Sequence, residues 1–299
     1  MTAPDGVPLL SIRPAQSKEL NDSLGLIEVD EPKLTNPAYQ EAILAEVQEA
    51  AGAAFDDLVQ EAAKQIAEPP WFLIIRGLPV SRATPLLVAV SATLGLLVEP
   101  YRQPWSRVVR HIVPSRDRTV EGRVLNEFLH TDGTDWIRPN DYTCLFCVRP
   151  DQSGDGESLL LDIATLLDEM AAAPAAGVVH RIASQAVPWR IAEELGGGIH
   201  WEYPIDLSGP HIRWLRHAVM LSEEEGLASL PADIADDLLA FEQAVGNCRG
   251  VARMRLQAGD LLLLDNGRSL HARTEIRDPA GSTRELLRTK VMRGEAARC

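Results

Sequence analysis

Residues 259–271 read Gly-Asp-Leu-Leu-Leu-Leu-Asp-Asn-Gly-Arg-Ser-Leu-His, and this stretch decides how the chain is folded. Its first two residues are typical of a turn, the four leucines indicate a buried strand, and Asp265-Asn266-Gly267 predicts a second turn. His271 follows where the chain leaves the core. The stretch therefore predicts a strand that delivers a histidine to the edge of a β-rich core.

Further short strand-like segments lie on both sides of this stretch, and turn residues separate several of them. Many short strands with few intervening helices favour a sandwich or jelly roll over alternating βα units. We therefore expect a mainly β fold with flanking helices, in the α+β class. The predicted strands are Trp71–Gly77, Arg107–Val113, Asp141–Val148, Ser158–Ile163, Val179–Val187, Val251–Leu256, Asp260–Leu264 and Arg284–Met292.

Helical periodicity is confined to a few segments. Apolar residues at three and four spacing predict one long amphipathic helix over about 36–68, ending before Pro69-Pro70, and a second helix over Thr84–Leu97. A helical insertion is expected at about 222–245. We interpret 1–299 as a single domain with its jelly-roll core over about 70–292. The aromatic residues around Gly196-Gly197-Gly198 leave open whether 180–204 forms a lid or an ordinary packed loop.

Composition excludes several classes of function. The chain has 299 residues, 45% of them hydrophobic, and a net charge of −14, so neither a disordered chain nor an undirected phosphate or lipid binder is expected. No apolar run approaches a membrane span, and no leader is evident at the start, so we expect a cytoplasmic protein. Cys144 and Cys147 lie in an apolar strand-like run without a second ligand pair, and we interpret them as reduced structural cysteines.

A candidate metal site begins with His130-Thr131-Asp132. In an extended segment, residues i and i+2 project on the same face and deliver an imidazole and a carboxylate to one point. With His271 they make a two-histidine, one-carboxylate set, whose open positions suit a non-haem Fe(II) that accepts a bidentate ligand and dioxygen. Glu127 and Asp135 are nearby carboxylates without this i, i+2 geometry. The alternative is a surface histidine beside a solvated aspartate.

Arginines on the last predicted strand suggest the companion site. Period-two alternation in Arg284-Glu285-Leu286-Leu287-Arg288 places both guanidinium groups on one face. Arginine suits carboxylates because its donors form a planar fork. A dicarboxylate site beside His271 is therefore expected, the alternative being two solvated arginines.

These motifs, in this order and spacing, resemble the taurine dioxygenase (TauD/TfdA) and clavaminate synthase-like superfamily of Fe(II)/2-oxoglutarate-dependent dioxygenases. Residues 138–149 are more similar to the clavaminate synthase and amino-acid hydroxylase branch, and residues 71–80 to an early strand of these proteins. The resemblance implies a double-stranded β-helix, or jelly roll, that binds Fe(II), the cosubstrate 2-oxoglutarate and O2. His130, Asp132 and His271 match the iron ligands.

The resemblance also implies roles for other residues. Arg284 matches the arginine that pairs with the distal carboxylate of 2-oxoglutarate, and Ser158 falls where the family usually has a threonine that binds the same carboxylate. Arg288 matches a second arginine, closer to the substrate or to the other end of the cosubstrate. Asn126 matches a substrate-contacting position of taurine dioxygenase. The retained acid at position 132 argues against the halogenating relatives, which vacate it for chloride.

The expected reaction is oxidation, most often hydroxylation, of an unactivated C–H bond of a small polar metabolite such as an amino acid or a derivative. Succinate and CO2 are released. Asp135 and Trp136 directly follow the metal motif and either face the substrate or serve loop solvation and packing. A non-oxidative hydrolase or isomerase, or a silent binding protein on the same scaffold, remains the alternative. No nucleic-acid or membrane partner is expected, and a homo-oligomer is compatible with the sequence.

Overall fold

A computed structural model describes residues 6–101, 107–114, 128–171 and 176–294 of the chain. Strands in these residues are short and separated by turns, as the sequence predicts. They are β1 Leu9–Ser11, β2 Phe72–Arg76, β3 Leu96–Leu97, β4 Arg110–Ile112, β5 Tyr142–Arg149, β6 Ser158–Asp162, β7 Val187–Arg190, β8 Ile199–Glu202, β9 Ile205–Asp206, β10 His211–Ile212, β11 Ala252–Met254, β12 Leu261–Asp265, β13 Ser269–Arg273 and β14 Glu285–Met292.

The strands form two principal sheets. The larger has the order β1-β2-β12-β5-β14-β3, with β4 also paired to β14, and the smaller has the order β11-β6-β13. Two further antiparallel pairs, β7 with β8 and β9 with β10, lie outside them. All of these pairings are antiparallel except that of β1 with β2. The four leucines of β12 lie between β2 and β5, which explains their complete burial.

The two principal sheets pack face to face. Ile74, Cys147 and Leu262 of the larger sheet share one apolar cluster with Leu160 and Met254 of the smaller sheet. This arrangement confirms the expected jelly-roll fold. Cys144 belongs to a different cluster, on the opposite face of the larger sheet, so residues three apart on β5 point to opposite faces as predicted. Both thiols are free and buried.

Helices cover the outer faces of both sheets. Helices α2 to α4 pack on the larger sheet, and α5 to α8 pack around the smaller one. The helices are α1 Pro14–Ser23, α2 Pro37–Ala51, α3 Ala53–Ile66, α4 Ala83–Leu94, α5 Ile163–Ala171, α6 Ala176–Ser184, α7 Arg216–Glu224 and α8 Ala232–Asn247, with 3-10 turns at Glu31–Thr35, Val80–Arg82 and Glu193–Leu195.

Three sequence predictions differ from the structure. The single helix expected over about 36–68 is two helices, because Gly52 lies between them with a φ of 56° that ends the first. The strand expected at Val179–Val187 is wrong: most of it is helix α6, and β7 begins at its last residue. The insertion expected at about 222–245 is two helices, α7 and α8.

No helix within the described ranges combines the length and apolar character that a bilayer span requires.

Candidate metal and dicarboxylate site

Two histidines that are 141 positions apart in the sequence are joined by backbone hydrogen bonds. His130 forms a β-bridge with His271 of β13: its N–H donates to the His271 carbonyl at 3.0 Å, and the His271 N–H donates back at 2.9 Å. The two rings lie 4.6 Å apart, centroid to centroid. The smaller sheet therefore sets the distance between the two imidazoles.

Asp132 is held in place by Asn266, which lies in the turn between β12 and β13. The Asp132 N–H donates to Asn266 Oδ1 at 2.7 Å, and Asn266 Nδ2 donates to the carbonyls of Asp132 at 3.0 Å and Asn140 at 2.8 Å. The turn that follows the buried leucines thus binds the backbone of the aspartate directly. Burial of all these groups makes each of the hydrogen bonds costly to lose.

The Asp132 carboxylate lies between the histidines and two cations of β14. Its Oδ2 accepts a hydrogen bond from the Thr143 hydroxyl at 2.8 Å and lies 3.7 Å from His271 Nε2. Its Oδ1 lies 3.3 Å from Lys290 Nζ and 3.5 Å from Arg288 Nη1. Burial alone would raise the pKa of Asp132, but the charges of Lys290 and Arg288 hold it well below its usual range. The carboxylate is therefore ionised.

Both imidazoles are neutral at physiological pH. Burial lowers the pKa of His130, and burial followed by repulsion from His130 lowers the pKa of His271 to about 3. His130 Nδ1 lies 2.8 Å from the Phe128 carbonyl, which can only accept, so Nδ1 carries the proton and Nε2 keeps its lone pair. His271 Nδ1 is buried without a hydrogen-bond partner in the described residues.

This donor set fits a divalent transition metal. One ligand atom from each of His130, Asp132 and His271 lies within 4.8 Å of the other two. Two neutral imidazoles and one ionised carboxylate form the face that non-haem Fe(II) takes. Neither Asp135 nor any other described acid joins this cluster.

The two arginines predicted to share a face lie in different surroundings. Arg288 reaches Asp132, whereas Arg284 precedes β14 and is 7% exposed, near Gly156 and Cys147. No carboxylate in the described ranges lies within ion-pair distance of Arg284, and burial lowers its pKa to about 10 with repulsion from Arg273 as the next cause. An unpaired guanidinium at this depth is a ready partner for a ligand carboxylate.

Ser158 lies on the same face of the smaller sheet as His271. It pairs with Arg273, and its neighbour two residues on, Leu160, pairs with His271. Its side chain is buried. Two residues along a strand place it about 7 Å from the level of His271, in the direction of Arg273, which repels Arg284.

Asp135 and Trp136 form a wall beside the cluster. The Tyr101 hydroxyl donates to Asp135 Oδ2 at 2.6 Å and accepts from Trp136 Nε1 at 2.9 Å. Lys290 Nζ lies 4.6 Å from the centroid of the buried Trp136 ring. Both residues are thus hydrogen-bonded and packed, and Trp136 reaches the cluster through Lys290. Asn126 lies outside the described residues.

Sequence reasoning missed four residues that shape this site. Asn266, Thr143, Lys290 and Tyr101 each contact Asp132 or its neighbours. Only Asn266 had a signal, because it belongs to the turn that leads to His271. The other three acquire their roles from strand register and packing.

Comparison with known protein families places the chain. Residues 33–290 match the family described as Taurine catabolism dioxygenase TauD, TfdA family. The chain belongs to this family. The match includes all three residues of the His-Asp-His cluster and both arginines, Arg284 and Arg288. It confirms the resemblance that the motifs indicated. Comparison with curated protein sequences gave no match.

Solved structures share the fold of this TauD/TfdA-family chain. An asparagine oxygenase in complex with Fe(II), 2S,3S-3-hydroxyasparagine and succinate has a TM-score of 0.71 at 18% identity, covering 95% of this chain and 93% of that one. The non-heme iron oxygenase OrfP, in complex with Fe and alpha-ketoglutaric acid, has a TM-score of 0.70 at 18% identity, covering 97% and 96%. Identities this low establish a common fold.

Proposed function

We propose that the chain is an Fe(II)/2-oxoglutarate-dependent oxygenase that hydroxylates an unactivated C–H bond of a small, polar, amino-acid-like substrate. The balanced reaction converts R–H, O2 and 2-oxoglutarate into R–OH, succinate and CO2. His130, Asp132 and His271 hold the iron. Bound iron supplies the open coordination positions for the 2-oxo acid and for O2.

One observation supports this function above all: a buried arginine with no counter-ion among the described residues accompanies the His-Asp-His cluster. A hydrolase or isomerase built on the same ligands has no use for Arg284, whose burial costs free energy. A dicarboxylate cosubstrate explains it. Iron held by His130, Asp132 and His271 would bind one end of 2-oxoglutarate, and Arg284 would neutralise the carboxylate at the other end, with Ser158 donating its hydroxyl to that carboxylate.

The chain's own residues position and neutralise the reactants. Asn266 and Thr143 keep Asp132 oriented, so the carboxylate needs little reorganisation when it binds a metal. Arg288 lies on the cluster side of β14, where it is suited to bind the carboxylate of an amino-acid substrate or the near end of the cosubstrate. Asp135 is the acid positioned to pair with a substrate amine, and Trp136 provides the adjoining wall. Asn126 stays a proposed substrate contact.

The substrate class is supported by the structural relatives. One is crystallised with a hydroxyasparagine, and OrfP is crystallised with (3S)-hydroxy-L-Arg at 17% identity. Those ligands belong to those proteins. For this chain they favour testing free amino acids and their derivatives first.

Anaerobic titration with Fe(II) and 2-oxoglutarate tests the proposal. We expect a weak visible charge-transfer band and slow substrate-independent succinate release in air. Asp132→Ala should abolish both signals. Arg284→Met should weaken 2-oxoglutarate binding by roughly 100-fold, as expected when a buried charged partner is lost, while leaving metal binding intact.

A control separates charge from packing at position 284. Arg284→Lys keeps the charge without the planar fork and should retain part of the affinity. The proposal fails if no band forms with wild-type protein, or if Arg284→Met binds 2-oxoglutarate normally. A screen of amino acids, read as stimulated succinate release, then identifies the substrate.

A further inference from the structure

Lys290 is unusual among the cations of this chain. It is one of four lysines, and the other three, Lys18, Lys33 and Lys64, lie exposed in the N-terminal helical part. The Lys290 side chain is only 13% exposed and extends from β14 towards Asp132 of the His-Asp-His cluster. A buried lysine requires a specific partner, because a desolvated ammonium is costly.

That partner is a carboxylate which the iron would also need. Lys290 Nζ lies 3.3 Å from Asp132 Oδ1, and the Asp132 side chain is 8% exposed. Thr143 donates to the other oxygen of the same carboxylate at 2.8 Å. The two donors differ in charge: the hydroxyl orients the carboxylate, whereas the ammonium also neutralises it.

A divalent metal on Asp132 changes the electrostatics at Lys290. The carboxylate can no longer neutralise the ammonium fully, and the metal repels it across a short distance in a poorly screened interior. Lysine can respond, since its charge sits on a flexible four-carbon stem. The Trp136 ring, 4.6 Å from Nζ, already contacts the ammonium and would keep this favourable contact if the one with Asp132 weakened.

We propose that Lys290 is the resident counter-ion of Asp132, competing with the metal for this carboxylate and so setting the affinity of the site for divalent cations. It is a positioning residue that, with Arg288 on the same carboxylate oxygen, holds Asp132 in place when no metal is bound. A bound metal would weaken the contact of the ammonium with Asp132 and leave it on the face of Trp136. This inference rests on the proposed role of Asp132 as a metal ligand.

The inference can be tested without turnover by titrating the full-length, metal-free protein with Co(II). Calorimetry and visible absorption measure the binding. Lys290→Met should bind Co(II) at least about tenfold more tightly than wild type, because a repelling charge is removed. Lys290→Arg should stay within about threefold of wild type, since it restores the charge. Lys64→Met, at an exposed position of helix α3, is the matched control and should bind Co(II) like wild type.

Thr143→Val distinguishes competition by charge from simple release of the carboxylate. It removes a neutral donor from Asp132, so it should leave Co(II) affinity unchanged or lower it. If Lys290→Met binds Co(II) no more tightly than wild type, or if Thr143→Val tightens binding equally, the inference is overturned. Should Lys290→Met fail to fold, Lys290→Gln carries the same expectation.

Failure of the proposed function gives a different result. In that case wild-type protein does not bind Co(II), or Asp132→Ala binds it as well as wild type does. Tight, Asp132-dependent binding that Lys290→Met leaves unchanged would retain the metal site and reject only the role of Lys290.

Discussion

Asn266 shows how one side chain outside the ligand set determines whether the site forms. Its amide group satisfies the Asp132 N–H and two buried carbonyls. Asn266→Ala should lower the free energy of unfolding by about 3 kcal/mol, because three buried polar groups lose their partner. Metal affinity should fall roughly 10- to 100-fold. Urea denaturation and Co(II) titration measure the two effects. Asn247→Ala, which removes one exposed hydrogen bond, should change neither.

The protonation of the histidines gives a second prediction at this scale. Burial lowers the pKa of both His130 and His271, so at pH 6.5 the two imidazoles carry fewer protons than ordinary histidines do. Co(II) binding at pH 6.5 should therefore release clearly less than the roughly one proton that two ordinary histidines would release. Calorimetry in two buffers of different ionisation enthalpy counts the protons. Release near one proton would show that the imidazoles are solvated.

The same lowered pKa values act on folding. Below about pH 6.5 the unfolded chain binds more protons at these histidines than the folded chain does. Their contribution to stability is thus complete above that pH and decreases as the pH falls towards the folded-state value, about 3 for His271. The metal-free protein should be less stable at pH 5.5 than at pH 7.5.

At the scale of elements, substitution of glycines before and after β12 tests how the two turns shape residues 259–271. Gly259 has a φ of 84°, and a Cβ there would lie 2.3 Å from the Leu78 carbonyl oxygen. Gly259→Ala should therefore cost about 3 kcal/mol, from backbone strain and displacement of Leu78. At Gly267 the three atoms nearest to an added Cβ all belong to the exposed His211 ring, which can move. Gly267→Ala should cost less than about 1 kcal/mol, and equal losses in urea denaturation would contradict this account.

Prediction from sequence succeeded where local pattern and burial agree. The buried strands β2, β5, β6 and β12 lie within a residue or two of their expected limits. Short apolar runs bounded by turn residues favour a buried strand over any other element. The prediction of a strand over residues 179–187 failed because β-branched residues at helical spacing can also pack on the core from a helix, as they do in α6. Strand register, which brings Thr143 and Lys290 side by side, has no local signature. The contacts of both with Asp132 therefore could not be predicted.

At the scale of the whole molecule, the His-Asp-His cluster brings together residues that are far apart in the sequence. His130 and Asp132 precede β5, whereas His271 lies on β13 of the other sheet. A metal bound only by the folded chain should stabilise it, by about 2.7 kcal/mol when the free metal is at 100 times its Kd. For a chain of this size, that corresponds to a rise in Tm of about 4 °C. Thermal unfolding with and without Co(II) measures the rise.

Variants test whether this stabilisation by Co(II) depends on the His-Asp-His cluster. Asp132→Ala should remove the Co(II)-dependent rise in Tm, since two histidines alone bind weakly, while His200→Ala, at a half-exposed position on β8, should keep it. Adding 2-oxoglutarate should raise the Tm further in wild type. In Arg284→Met the further rise should be weak, because the proposed partner of the distal carboxylate is missing. A rise that survives in Asp132→Ala would mean that Co(II) stabilises the fold from another site.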